Sequence, residues 1–237
     1  FVKAAGSDLC RDCHADFLQN IEQLKYPHIP MAEGKSCENC HAAHSSMHED
    51  LLRENDQTLC LSCHGETINT DGKSIPNIGE QLKNAKFLHG PLRQNNCSGC
   101  HAAHGSDFAN ILDKSFPDEF YAPYREGVYD LCFECHDRKI ILSETGTADS
   151  FRNGNQSLHY LHVNREKGRS CRACHHEHAA NQPFHMRDSV LFGRWTMDID
   201  FNRTDDGGTC SSGCHQPYRY SRDQAVDNKV KPASQEE

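Results

Sequence analysis

Apolar residues in this 237-residue chain fall in short clusters rather than in long periodic runs. The densest is Ile140–Leu142, and no stretch approaches the roughly 20 apolar residues of a membrane-spanning helix. Single leucines stand just ahead of cysteines at Leu9, Leu59 and Leu131. This pattern predicts short α-helices around the cysteines, irregular chain between them, and little or no β-sheet. Pro117 and Pro123 argue against a helix through SFPDEFYAPYREGVYD. The composition of 65–88, with Pro76 inside it, reads as surface connection, and 143–155 reads the same way. Beyond Tyr220 the apolar pattern fades, and residues 223–237 are expected to form a polar tail, either solvated or a docking arm.

The cysteines change the picture. Cys-x-x-Cys-His is the attachment signature of haem c. It occurs at Cys10, Cys13 and His14, at Cys37, Cys40 and His41, and at Cys60, Cys63 and His64. It recurs at Cys97, Cys100 and His101, at Cys132, Cys135 and His136, and at Cys171, Cys174 and His175. A seventh copy, Cys210, Cys214 and His215, has one extra residue between its cysteines. The seven copies consume all 14 cysteines. In one helical turn, positions i, i+3 and i+4 share a face. Both thiols can then reach the vinyl groups of one porphyrin edge, with the histidine beneath the ring as proximal iron ligand. Structural zinc does not require a histidine after every second cysteine, and a redox dithiol would not recur seven times in so short a chain.

Composition fits a chain that does not build its core from its own side chains. Hydrophobic residues make up 36%, and mean hydropathy is −0.79. Seven haems c would form the interior instead, giving a haem-cored fold that needs its cofactors in order to fold. The formal charge of −9 becomes roughly −16 with seven ferric haems, each bringing two propionates against a core charge of about +1. Such a polyanion is unsuited to nucleic acid or an anionic membrane surface. Redox proteins, as donors and acceptors, or extracellular metal oxides suit it better. The start at Phe1, nine residues before the first motif, reads as a processed end left by a removed signal peptide. Covalent haem attachment beyond the bacterial inner membrane makes this an exported protein, extracellular or alternatively periplasmic.

A repeat emerges when the motifs are aligned. One half has a leading histidine eight or nine residues before the first cysteine and ends in HxxH: His28 with CENCHAAH, His89 with CSGCHAAH, His162 with CRACHHEH. The other half is a single motif, LCLSCH, LCFECH or TCSSGCH, and the opening LCRDCH resembles it. This predicts a single domain over 1–222. It would hold one orphan haem (1–20) and two-haem units at about 21–75, 76–145 and 146–222.

Beyond the seven proximal histidines, ten of the 17 remain. That number suffices for bis-histidine ligation at every iron, which closes the metal to substrate. His44, His104 and His178 follow a proximal histidine by three positions and cannot readily reach round the ring that it holds, so each should ligate another haem. The leading His28, His89 and His162 are equal candidates. His159 and His185 compete for the remaining vacancy, while His48 and His176 read as solvated. Met31, Met47, Met186 and Met197 are secondary while histidine is in surplus.

The segments CENCHAAHSS, CSGCHAAHGS and CRACHHEHAA, each followed by a second motif, resemble the doubled-CxxCH multihaem cytochromes of metal-reducing bacteria. So does the stretch from LHYLHVNREKGRSCRACH to GGTCSSGCH. The resemblance covers nearly the whole chain short of the tail. It implies long-range electron transfer among closely stacked bis-histidine haems. Members serve as periplasmic shuttles, outer-membrane conduit subunits or extracellular cytochromes, some of which polymerise into filaments. The expectation is an electron carrier of extracellular respiration, with assembly into a homopolymer, the shuttle or conduit subunit being the alternative. A multihaem oxidoreductase is disfavoured because all seven motifs end in histidine.

Overall fold

The computed structural model describes residues 7–31, 37–70 and 72–229. The chain divides into two compact units, the first comprising 1–116 with 129–131, the second 117–128 with 132–237.

In the first unit the helix Ser7–Glu22 breaks at His14, whose φ of −112° and ψ of 29° leave the helical region. Its second half buries Leu18 and Ile21. The helix Asp56–His64 begins where the Asn55 side chain accepts the Thr58 N–H. The helix Ile78–Asn84 begins in the same way, with Asn77 accepting from Glu80. Both are Asn N-caps, which satisfy amide groups that the helix leaves unpaired. Tyr26–Pro27 pairs with Gly105–Ser106. Gly105 has φ +127°, and an added Cβ would lie 2.8 Å from the Pro27 Cα, so only glycine fits there. The span 65–88, expected as plain connection, holds the hairpin Ile68–Thr70/Lys73–Ile75 and the helix just named.

The second unit overturns the expectation of little or no β-sheet. Ser189–Phe192, Trp195–Arg203, Gly207–Ser212 and His215–Ser221 form a four-stranded antiparallel sheet in sequence order. The cause is a period-two pattern: Trp195, Met197, Ile199 and Phe201 alternate with Thr196, Asp198, Asp200 and Asn202. Ile199 and Phe201 are buried, while Asp198, Asp200 and Asn202 are exposed. Gly193, at φ +61°, and Arg194 form the two-residue turn between Phe192 and Trp195. A smaller hairpin, Arg152–Asn153/Gln156–Ser157, precedes the helix Leu158–Val163, which Ser157 caps. Residues 223–229 of the expected polar tail lie against this unit: the Asn153 side chain accepts the Val226 N–H and donates to its carbonyl. Residues 230–237 of that tail lie outside the described residues.

The sheet offers a stability test. A Cβ on Gly207 would sit 1.9 Å from the Tyr220 carbonyl oxygen on the paired strand. Gly207→Ala forces these backbones apart and is expected to cost about 2–3 kcal/mol, within the range of overpacking changes. Thermal unfolding followed by circular dichroism checks it, and an unchanged midpoint would contradict this packing.

Among the described residues only 13 apolar side chains are buried, Tyr129 being fully enclosed. Among those residues, no helix is long and apolar enough to cross a membrane.

Candidate haem sites

The motifs do not share one local structure. Motif one lies in the kinked helix Ser7–Glu22, motif three ends the helix Asp56–His64, and motif five begins in the short helix Asp130–Phe133. Motifs two and six open on single 3₁₀ turns, Cys37–Asn39 and Cys171–Ala173, and motif four on a turn. Motif seven departs from the helical expectation. Cys210 lies on the strand Gly207–Ser212, and His215 opens the next strand, paired to Ser212 across the turn. A bulge between Cys210 and Ser212 absorbs the irregular register where the extra residue falls. A tight hairpin thus brings both thiols and the histidine together.

The cysteines differ in exposure. No disulfide joins any of the 14, all of which lie among the described residues. The first cysteine of every motif is partly buried: Cys10, Cys37, Cys60, Cys97, Cys132, Cys171 and Cys210. The second cysteines divide along the repeat. Cys13, Cys63, Cys135 and Cys214, all from single motifs, are exposed, whereas Cys40, Cys100 and Cys174, from the HxxH motifs, are partly buried. The reason is local. Cys13 lies in the exposed first half of its helix, Cys63 in the last turn of Asp56–His64, Cys135 in the exposed stretch 134–139, and Cys214 at the hairpin turn. In the HxxH motifs the chain folds back over the second cysteine. The carbonyls of Cys40, Cys100 and Cys174 accept the N–H groups of Arg53, Asp113 and Arg187 at 2.8–2.9 Å.

The three HxxH motifs share a turn that sequence reading missed. The proximal imidazoles place Nδ1 against backbone carbonyls nine residues on: His41 to Asp50 O at 2.7 Å, His101 to Asn110 O at 3.0 Å, His175 to Phe184 O at 2.8 Å. Each carbonyl belongs to the first of two successive residues with positive φ: Asp50/Leu51, Asn110/Ile111 and Phe184/His185. None is glycine, and such conformations cost of order 1–3 kcal/mol each. Backbone bonds hold the turns in place, from Ala42, Ala102 and His176 N–H to the Leu51, Ile111 and His185 carbonyls at 2.7–2.8 Å. An Nδ1–H donated to a carbonyl leaves Nε2 as the lone pair for a metal and fixes the ring's orientation.

His28 faces His64, His41 faces His104, and His159 faces His175. Ring centroids of His28 and His64 are 6.3 Å apart with planes 15° from parallel, those of His41 and His104 6.1 Å and 8°, and those of His159 and His175 6.2 Å and 33°. An iron held at about 2 Å by Nε2 atoms on opposite faces separates the centroids by roughly 6–6.5 Å. All three pairs fit that spacing. His28 Nδ1 faces the Ala103 carbonyl at 2.8 Å and His159 Nδ1 faces Asp149, so in both Nε2 is the free ligand. Beside His104 a cleft of about 260 Å³ is lined by Phe17, Ile21, Leu24, Ala102 and Ala103, and the Phe17 ring meets the imidazole edge-on at 5.0 Å. An apolar wall of this kind suits a porphyrin face.

Burial pushes the imidazoles of His64, His101, His104 and His162 below the usual range. His175 is pushed down to about 4, by burial first and then by the nearby His159. The neutral form favoured in this way is the form that ligates metal. His162 sets Nδ1 on the Leu158 carbonyl at 2.6 Å, and the charges of Arg169 and then His215 add to the burial that lowers its pKa.

The other candidates are placed as follows. His14 sits exposed at its helix kink, and His44 and His136 are exposed. His89 precedes the short helix Gly90–Arg93, and His178 is partly buried. His185, the rival of His159, lies in the positive-φ turn, where its carbonyl accepts the His176 N–H. His48 and His176, both expected to be solvated, are partly buried. Met197 Sδ is 3.5 Å from Cys214 Sγ, Met47 is 98% exposed, and the Met31 side chain lies outside the described residues.

The attachment cysteines also draw motifs together. Cys10 and Cys37, Cys60 and Cys97, and Cys132 and Cys171 are each in side-chain hydrogen-bond contact, the first cysteine of a single motif meeting the first of the next leading motif. Burial pushes the Cys174 thiol up to about 11. Asp56 ties motifs three and four: its Oδ2 accepts the Cys97 N–H at 2.7 Å, the Ser98 N–H at 2.9 Å and the Ser98 hydroxyl at 3.0 Å. Ligand atoms of Asp56, Cys60 and Cys97 lie within 4.8 Å of one another, the one such group among the described residues. Thioether formation at Cys60 and Cys97 takes both of its thiols.

Residues 28–69 and 89–140 match the family model for the doubled CXXCH motif. Both matched segments begin on a leading histidine, His28 and His89. No curated protein matches the chain. The match indicates haem c held covalently at CXXCH motifs and suggests the electron transfer of multihaem c-type cytochromes.

Proposed function

We propose that this chain carries seven haems c, every iron held by two histidines, and that electrons pass along it from haem to haem. Bound haem c supplies reversible one-electron iron chemistry. The chain's own residues attach, orient and space the groups. The observation that carries the reading is the set of three opposed imidazole pairs, His28/His64, His41/His104 and His159/His175, at 6.1–6.3 Å.

The pairing has a consequence for conduction. His104 follows His101 by three positions yet faces His41, 63 residues away from it in sequence. One short HxxH segment therefore grips two haems, so their separation is set by a single stretch of backbone. The contacts of Cys60 with Cys97, and of Cys132 with Cys171, bring further attachment points together. Closed irons exclude substrate, which favours a carrier over an oxidoreductase.

Carbon monoxide binding to the fully reduced, haem-loaded protein tests this. Seven closed irons give no change in the reduced spectrum, whereas uptake by any haem overturns closure at that site. Within the class, the reading is an exported cytochrome of extracellular respiration that assembles end to end, with redox proteins or metal oxides as partners. Electron micrographs separate it from the alternative. Long uniform filaments support the extracellular conductor, and small monodisperse particles at every concentration support a periplasmic shuttle or conduit subunit.

A further inference from the structure

His159 differs from six other histidines in what its second nitrogen touches. The Nδ1 atoms of His28, His41, His101, His162, His175 and His215 all face backbone carbonyls, those of Ala103, Asp50, Asn110, Leu158, Phe184 and Gln216. His159 Nδ1 instead donates to the Asp149 carboxylate, Oδ2 at 2.9 Å. The contact is sheltered, the two side chains being 27% and 11% exposed. The second carboxylate oxygen accepts the Phe151 N–H at 2.7 Å, which holds Asp149 in place. The Phe151 ring covers the imidazole edge-on at 5.1 Å and is itself packed by Tyr220 at 5.1 Å. Among the described residues, no lysine or arginine forms an ion pair with Asp149.

We propose that Asp149 is a positioning and tuning residue that sets the haem gripped by His159 and His175 at a lower potential than its neighbours. This rests on the reading of His159 as that iron's distal ligand. An anionic acceptor makes a stronger hydrogen bond than a neutral carbonyl. The imidazole becomes more electron-rich, and its Nε2 a stronger donor to iron. A fixed negative charge in a sheltered site also favours the oxidised, more positive iron. Both effects act in one direction. The His159/His175 haem thus accepts its electron at a lower potential than it would with a carbonyl in place of Asp149, which makes the chain uneven along its length.

The test uses the haem-loaded full chain and a potentiometric titration followed by optical and EPR spectra. Asp149→Asn keeps a side chain of the same shape and removes the charge. One haem is expected to shift upward by about tenfold in its reduction equilibrium, 59 mV for one electron, with all irons remaining low-spin, and Asp149→Glu is expected to restore most of the lower value. His159→Ala is run beside it and should yield one high-spin haem. If His159→Ala does so but Asp149→Asn moves no potential, the tuning role is wrong and the ligand assignment stands. If His159→Ala leaves every iron low-spin, the ligand assignment itself fails, and the tuning role with it.

Discussion

The His104→Ala protein is expected to contain one high-spin, carbon monoxide-binding haem per chain, and the unsubstituted protein none. His104 and His41 present their rings 6.1 Å apart and 8° from parallel, so removing one leaves the iron at His41 with a single histidine. Burial holds His104 neutral and ready to ligate, and the apolar cleft beside it offers no histidine among its other lining residues to take over. The effect is confined to one haem because His101, three residues earlier, is anchored separately through the Asn110 carbonyl. His48→Ala, at a partly buried loop histidine assigned to no iron, is expected to leave the spin state alone. An unchanged spectrum in His104→Ala would show that this iron draws its sixth ligand from elsewhere.

Asp50→Pro is expected to destabilise the haem-loaded protein by about 3 kcal/mol or more, whereas Asp50→Gly is expected to be neutral or slightly stabilising. Asp50 has φ +53° and ψ 24°, and its carbonyl accepts the His41 Nδ1–H at 2.7 Å. Proline fixes φ near −65° and cannot adopt this turn. The carbonyl swings off the imidazole, and the following Leu51, at φ +56°, loses its place. Glycine takes positive φ without strain and keeps the same carbonyl. Denaturant unfolding monitored at the haem absorption distinguishes the two. Equal midpoints for the proline and glycine variants would contradict the role given to the turn. The same logic holds at Asn110 and Phe184, because the three turns repeat the geometry.

The seven motifs, their proximal histidines and the leading histidines were all legible in sequence because local spacing carries them. The partner relations were not. His41 and His104 lie far apart in the chain, and no periodicity joins them. The positive-φ turns were hidden for another reason. Their residues, Asp-Leu, Asn-Ile and Phe-His, are not the glycines that usually announce such backbone. The one available signal was the recurring distance of nine residues from proximal histidine to turn, visible only when the three HxxH segments are set in register. Those same turns carry the returning chain that shelters Cys40, Cys100 and Cys174, so the contrast with the exposed Cys13, Cys63, Cys135 and Cys214 was hidden with them. The sheet was legible but overlooked, since alternation through Trp195, Met197, Ile199 and Phe201 is the ordinary strand signature. Treating everything between motifs as irregular masked it, along with the hairpin that carries Cys210, Cys214 and His215. Asp149 was invisible for lack of a motif. It lies in a polar loop, and its meaning comes only from the 2.9 Å contact with His159.

The most direct test of the account is quantitative EPR of the fully oxidised, haem-loaded protein, integrated against the protein concentration. The account predicts seven low-spin ferric irons per chain and no high-spin signal. Fewer than seven irons would remove a motif, the hairpin motif at Cys210 first, from the set of haem sites. A high-spin component of one iron or more would contradict closed bis-histidine ligation and reopen the oxidoreductase reading.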